Sequence, residues 1–313
     1  MPPEQSTPVL DVSLVIPTRD RHDLLRNNLR SVAAGRAVPA EIIIVDQSRE
    51  PSSGIETLPM PPGVRLRHVM SSGSGLSRGR NEGFEHASFP LVAMIDDDVE
   101  VSEGWLDALV GALVAAGPRA AVTGRVLPGP TPTGQEYVPS VNVATEPATF
   151  VGLLSHDVLF GNNFAIPRAA IAEVGGFDVR LGPGAHWSNA DDNDFGYRLL
   201  TAGYAIHFVP EAALTHLAWR SGRDLLRLRW SYGRGQGGFY AKHTSMRDRH
   251  LLHRLLRDCR LSAGEAARFG LRLDPWAAMH LAHLAGLLSG FAEWILTRPT
   301  AADADDSRPS GRS

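Results

Sequence analysis

Leu91-Val92-Ala93-Met94-Ile95-Asp96-Asp97-Asp98 joins five apolar residues to three consecutive acids. The apolar run has the length of a buried strand. The acids behind it repel one another and are penalised wherever water is excluded. A cation must compensate, and carboxylate oxygens suit Mg²⁺ or Mn²⁺. If strand geometry continued past Ile95, alternation would send Asp96 and Asp98 to one side. Taken alone, the run also reads as a solvated acidic turn, and its neighbours decide between the two.

Upstream, Val12-Ser13-Leu14-Val15-Ile16 is a short β-branched run ended by Pro17, which reads as a buried strand. Residues 21–34 carry Leu24, Leu25, Leu29 and Val32 at helical spacing. Ile42-Ile43-Ile44-Val45 is a second strand that stops at Asp46, residues 64–69 a third, and residues 74–87 a helix despite their glycines. Downstream, Ser102 is expected to cap a helix with Trp105, Leu106, Leu109 and Leu113 on one face. Strands joined by helical crossovers imply an α/β protein with an open parallel sheet flanked by helices. Such sheets bind ligands beyond the carboxyl ends of their strands. Three of those ends are polar here: Pro17-Thr18-Arg19-Asp20, Asp46-Gln47-Ser48 and the acidic run.

Composition narrows the classes. A length of 313 residues allows one large or two medium domains, and 43% hydrophobic content is enough for a core. A net charge of −3 predicts no overall attraction to nucleic acid. The single cysteine, Cys259, excludes an internal disulfide and a cysteine-rich zinc site, and fits a reducing, cytoplasmic setting. Residues 1–11 have neither a basic n-region nor an apolar h-region, so no signal peptide is expected. There is no G-x-x-x-x-G-K-[ST] loop, and Gly73-Ser74-Gly75 does not follow a convincing strand. A P-loop NTPase and a Rossmann dehydrogenase are disfavoured accordingly. Phosphate would then be held by a cation and arginine, with Arg78 and Arg80 nearest.

Charge is unevenly spread. Between residues 217 and 272, thirteen Arg/Lys face four Asp/Glu, a local excess of nine on a net-negative chain. Leu225, Leu226, Leu228 and Trp230 alternate there with arginines. Tyr232-Gly233-Arg234-Gly235-Gln236-Gly237-Gly238 reads as a helix interruption near the site, with Arg234 in reach of a diphosphate. Residues 251–261 are amphipathic, with Arg254, Arg257 and Arg260 at threefold spacing. Residues 276–296 are long enough to span a bilayer, but His280, His283 and Glu293 interrupt them. A helix lying on the core or on an anionic membrane face is expected instead. The arginines can equally pair with acids of the first part. Residues 9–218 thus form the α/β part and 219–298 a basic helical extension. Residues 299–313 are read as a disordered tail.

The ordered series Ile16-Pro17-Thr18-Arg19-Asp20-Arg21, Val45-Asp46, residues 75–81 and Asp96-Asp97-Asp98-Val99 resembles the nucleotide-sugar half of family 2 glycosyltransferases of the GT-A fold. The resemblance continues in Gly161-Asn162-Asn163-Phe164-Ala165-Ile166, Gly175-Gly176-Phe177-Asp178 and Asp191-Asp192-Asn193-Asp194-Phe195-Gly196-Tyr197-Arg198-Leu199. It closes with Ala202-Gly203-Tyr204, Val209-Pro210-Glu211-Ala212 and His216, covering roughly residues 10–218 in order.

The resemblance implies a Rossmann-like mixed sheet flanked by helices and an inverting, metal-assisted sugar transfer. Asp46 would hold the nucleobase of a UDP-, GDP- or dTDP-sugar, with Pro17, Thr18 and Arg19 lining that pocket. Gly75, Arg80, Asp96 and Asp97 would meet the rest of the donor. Asp98 would ligate Mg²⁺ or Mn²⁺, joined by Asp96 and His216. Asp192 would be the base that takes the proton from a saccharide or lipid-linked acceptor. Asp191 stands where the family usually has Glu, and would be the base in a register shifted by one. Asn162 and Trp187 are expected on the acceptor side. Gly182-Pro183-Gly184 before His186-Trp187 reads as a mobile loop carrying an aromatic platform, and core packing of Trp187 is the other reading. A nucleotidyltransferase and a catalytically silent nucleotide-sugar-binding module are the rival classes.

Overall fold

Alternation along the central strands fixes the two faces of the sheet. On β1 (Val9–Thr18), Leu14 and Ile16 enter one core and Val15 the other. On β2 (Val38–Asp46), Ile42 and Ile44 oppose Ile43 and Val45 in the same way. Strands covered on both faces are near-continuous apolar runs, which is why both stand out in the sequence. The structure, a computed structural model, describes residues 7–133, 136–245 and 248–300. The expected tail lies, beyond residue 300, outside the described residues.

Next in order come α1 (His22–Ala33), β3 (Arg65–Met70), α2 (Leu76–His86), β4 (Leu91–Ile95), β5 (Val99–Val101), α3 (Trp105–Ala116) and β6 (Ala120–Pro128). They are followed by β7 (Ala148–Phe150), β8 (Asn163–Pro167), α4 (Arg168–Val174), α5 (Asp191–Thr201) and β9 (Ala205–His216). The sheet runs β3-β2-β1-β4-β8-β6-β9-β5, with β7 also paired to β9. Helices α1 and α3 cover one face; α2, α4 and α5 cover the other.

Apart from the parallel β6–β9 pair, the all-parallel expectation holds only from β3 to β4. Beyond that point β8 is antiparallel to both β4 and β6, and β9 is antiparallel to β5 and β7. The reason lies in the connections. A parallel neighbour needs a crossover that returns to the same end of the sheet. Between β6 and β8 the chain instead makes a long excursion that contains only β7. Ser102 does not cap α3 with its side chain; it accepts the Trp105 amide through its carbonyl (3.0 Å), two residues before the helix begins after Gly104.

Three helices complete the described chain: α6 (Gly222–Ser245), α7 (Arg249–Gly270) and α8 (Trp276–Thr297). The glycine-rich stretch is no interruption, because α6 runs straight through it. Its glycines serve close helix contact. A Cβ on Gly233 would fall 2.1 Å from the carbonyl of His283, and one on Gly237 2.2 Å from that of Leu287. Gly286 and Gly290 of α8 lie as tightly against Trp230 and Arg234. Because 233 meets 283 and 237 meets 287, α6 and α8 are parallel and α7 runs back between their ends. No helix among the described residues is long and apolar enough to cross a membrane.

Part of the expected basic face is taken up by ion pairs, while Arg223, Arg249, Arg260 and Arg272 stay exposed. Arg254 is buried against Asp157 (2.7 Å), Arg257 pairs with Asp258 (2.7 Å), and Arg234 pairs with Glu293 (2.7 Å). Arg234 therefore does not reach toward a diphosphate.

Helix α2 approaches β1 through Gly83, where a Cβ would fall 2.2 Å from Cγ1 of Val15. Gly83→Ala is expected to cost about 1–3 kcal/mol through overpacking, read as a lower urea midpoint. An unchanged midpoint would mean that α2 can move off the sheet freely.

Candidate active site

The carboxyl ends of β1 and β4 meet at one open pocket of about 520 Å³. That size suits a small-molecule site. Pro17, Thr18, Arg19, Arg21, Gly75, Asp96, Asp97, Asp98 and His216 all line it. Strand geometry ends at Ile95, so the expected alternation of Asp96 and Asp98 does not occur. The turn instead pairs Asp97 with Asp98. Arg21 Nη1 donates to Asp97 Oδ1 (3.0 Å) and to Asp98 Oδ2 (2.7 Å), and Thr18 Oγ1 donates to Asp97 Oδ2 (2.7 Å). Asp96 turns the other way, accepting from Arg80 Nη2 at 2.9 Å. Asn28 Nδ2 ties the turn from beneath, donating to the carbonyls of Asp96 (3.2 Å) and Val99 (2.9 Å).

Burial, and then the neighbouring Asp98 charge, push the Asp97 carboxyl up to about 6 against the pull of Arg21. Burial likewise raises Asp98, but the hydrogen bond and charge of His216, with Arg21, bring it below the usual carboxylate range. Burial lowers His216, and Asp98 more than reverses this.

A divalent cation fits these side chains. His216 Nδ1 lies 2.8 Å from the carbonyl oxygen of Pro139, which can only accept, so the hydrogen sits on Nδ1. In the neutral ring Nε2 then presents a lone pair, and it faces Asp98 Oδ1 at 3.4 Å. Oδ1 is buried with no hydrogen-bond partner. Two acceptors directed at each other need a proton or a metal between them. Among the described residues no three such side chains converge, so two protein ligands would leave the remaining positions to phosphate and water.

Behind this pocket, and not among its lining residues, lies the start of α5; Asp192 instead lines a small separate cavity with Asp157 and Leu159. Asp191, Asp192 and Asp194 all lie in its first turn, where the helix dipole favours negative charge. Ala190, immediately before, is held at φ +67°. Asp191 is buried and bonded to Arg80 Nη1 at 2.6 Å. Arg80 therefore joins Asp191 to Asp96 and also donates to the Gly161 carbonyl (2.9 Å). The amide of Gly161 donates in turn to Asp192 Oδ2 (3.2 Å). A Cβ on Gly161 would lie 2.9 Å from both Arg80 and Asp192, so only glycine fits between them. Burial, then the Asp191 charge, push the Asp192 carboxyl up to about 7. An acid poised near neutrality is suited to proton transfer.

Some expected residues lie elsewhere. Asp46 is fully buried, accepting from the amides of Ser48 and Ser52 (both 2.9 Å) and contacting His68 Nε2 (2.9 Å). Burial raises its pKa, but those hydrogen bonds bring it far below the ordinary value. It organises the loop after β2, and Gln47 reaches the pocket in its place. Arg80 is enclosed and bridges the acidic turn to the start of α5 without lining the pocket. Trp187 is buried, packed at 4.6 Å against the Trp294 ring, with Nε1 donating to the carbonyl of Gly290 (3.2 Å). It offers no platform to a sugar. The preceding loop is pinned, with Pro183 accepting from Leu76 N (2.9 Å) and Gly182 donating to Trp187 O (2.9 Å). Asn162 sits behind the wall; its Nδ2 approaches the Ser140 carbonyl at 3.5 Å. Arg21, Arg220 and Tyr232 line the pocket without having been assigned a role. Arg21 was signalled by its place in the quoted motif and Tyr232 by the glycine-rich stretch expected near the site, whereas nothing signalled Arg220.

The site thus joins a pocket at the strand ends, lined by an acidic turn, to a carboxylate helix N-terminus held behind it by Arg80. Residues 13–175 match the family described as glycosyl transferase family 2, and the chain belongs to that family. A pre-mycofactocin glycosyltransferase of Mycobacterium tuberculosis is 25% identical over 240 residues, covering 74% of this chain and 48% of the relative. The chain thus spans about half the length of that curated relative. Two solved structures share the fold, each with a TM-score of 0.59. A mannosyltransferase of Pyrobaculum calidifontis in complex with GDP-Man and Mn²⁺ is 17% identical, covering 90% of this chain and 87% of its own. S. aureus TarS 1-349 in complex with UDP-GlcNAc is 16% identical, covering 95% and 88%.

The raised Asp192 pKa has a stability consequence. Between about 4 and 7 the folded chain keeps a proton that the unfolded chain has lost, so this group lowers stability as pH rises. Asp192→Asn removes that loss. The variant is expected to be more stable than wild type by about 1–3 kcal/mol at pH 8, with the gap closing toward pH 4. Urea titrations across that range measure it; a constant gap would place the titration elsewhere.

Proposed function

We propose that the chain is an inverting glycosyltransferase that moves a sugar from a nucleoside-diphosphate sugar to an acceptor hydroxyl. The observation that carries this reading is the Arg80 bridge, which ties Asp96 of the pocket's acidic turn to Asp191 at the start of α5, one residue from Asp192. The donor complexes of the two solved neighbours, GDP-Man with Mn²⁺ and UDP-GlcNAc, support a nucleotide sugar here.

In this reading Thr18, Arg19 and Gln47 at the ends of β1 and β2 receive the nucleoside. Asp98 and His216 hold Mg²⁺ or Mn²⁺, with Asp96 near at hand. When bound, the cation neutralises charge on the departing diphosphate. Arg21 keeps Asp97 and Asp98 gathered before the donor arrives, and Arg220 adds a positive group on the far side of the pocket. Asp192 takes the hydroxyl proton as the acceptor oxygen bonds to the anomeric carbon and the bond to the diphosphate breaks. One displacement inverts the configuration. Asp191, enclosed against Arg80, positions its neighbour. The acceptor is a saccharide or a lipid-linked saccharide.

Asp192→Asn is expected to lower kcat by a factor on the order of 10² with donor affinity nearly unchanged. A severe Asp191→Asn beside a mild Asp192→Asn would move the base by one residue. Asp98→Asn is expected to abolish Mn²⁺-dependent binding of nucleoside diphosphate in calorimetry, and unchanged binding would remove the cation from this reading. Proton NMR of the first-formed product should show the anomeric configuration opposite to the donor's; retention would reject single displacement.

A further inference from the structure

Parallel α6 and α8, with α7 returning between them, bring the start of α6 and the α7–α8 turn to one end of the helical layer. That end is unusually apolar. Leu271 and Leu273 are 89% and 94% exposed, and Leu273 is a non-glycine residue held at φ +54°. A leucine in a left-handed conformation with nothing packed on it carries a backbone cost that no internal contact offsets. Trp276 beside it, with Trp219 just before α6 and Leu226 in its first turns, is exposed as well. Single exposed apolar residues are ordinary; a cluster of leucines and tryptophans at one tip marks an interaction surface.

Arginine flanks this tip. Arg223 and Arg272 are exposed and make no ion pair among the described residues. Asp224 is occupied by Arg227 (3.5 Å), and Glu265 by Arg268 (3.4 Å). Tryptophan and leucine among unpaired arginines match the chemistry of an anionic bilayer surface, with rings at headgroup level and cations on lipid phosphates. The tip also touches the catalytic pocket. Arg220 lines that pocket and exchanges backbone hydrogen bonds with Tyr137 (2.7 and 2.9 Å), whose ring meets Trp276 edge-on at 6.3 Å.

We infer that the α7–α8 turn and the first turns of α6 form a docking tip for an anionic membrane, which sets the pocket mouth at the lipid surface. This goes beyond the proposed reaction and does not depend on it. It places the contact at the tip and not along mid-α7, where Arg254 is buried against Asp157 and Arg257 is paired with Asp258.

The test is co-sedimentation of the full chain with vesicles of phosphatidylcholine alone or mixed with phosphatidylglycerol, without donor, at low and high salt. The chain should pellet with the mixed vesicles at low salt, with a blue shift of tryptophan emission. Leu271→Ser/Leu273→Ser should weaken partition tenfold or more, and Arg223→Gln/Arg272→Gln should remove the preference for anionic lipid. Thermal unfolding and nucleoside-diphosphate binding should be unchanged in both, since none of these residues lines the pocket. Recovery of wild type in the supernatant with both lipids, or unaltered partition of the leucine variant, would overturn the inference. So would a wild-type dimer in light scattering that the leucine variant dissolves, because a second copy would then cover the tip. Loss of sugar transfer with partition intact would count against the reaction alone.

Discussion

One buried guanidinium holds the two halves of the site in register. Arg80, on α2, donates to Asp96 at the end of β4, to Asp191 at the start of α5, and to the carbonyl of Gly161 before β8. Its plane also lies 5.0 Å from the Phe177 ring. Desolvating an arginine is costly, and here two carboxylates and a carbonyl compensate while Nε stays unpartnered. Arginine suits the position because its fork addresses separate acceptors in fixed directions, which a lysine cannot do. Removing either carboxylate would strip the guanidinium of one acceptor and break the link between the acidic turn and the helix start.

Around that bridge the site concentrates groups that the fold would be more stable without. Asp97 and Asp192 are both held above the ordinary carboxylate range by burial and by a neighbouring acid. Asp98 Oδ1, buried without a hydrogen-bond partner, faces His216 Nε2 at 3.4 Å. Asp20, beside the acidic turn's pocket, and Ala190, just before α5, are at positive φ without being glycine. Strain and like charge gathered around one buried bridge are the usual signature of a site kept for chemistry.

The helical layer solves a separate problem. Glycines at matching positions of α6 and α8 bring the two backbones together, and α7 seals the arrangement with buried pairs such as Arg254 to Asp157. Part of what looked like a basic surface is thereby paired internally, and Leu271, Leu273 and Trp276 are left exposed at the end beside the pocket.

The sequence by itself determined the central strands β1, β2 and β4, because residues buried on both faces must be apolar over their whole length, as Ile42-Ile43-Ile44-Val45 is. It also marked Asp96 to Asp98, Asp191 and Asp192 as candidates, since acids at strand ends and helix starts are intelligible from local spacing. Tertiary structure alone decided how those acids are used. Asp46 reads like the others but is fully saturated by Ser48, Ser52 and His68, and which acceptors are already occupied depends on loops distant in sequence. Trp187 likewise reads as a platform until Trp294, over a hundred residues away, covers it. The antiparallel half of the sheet was hidden for the same reason: strand identity is a local property, whereas direction follows from where a long connection returns. Local pattern fixes what a residue can do; long-range packing fixes whether it is free to do it.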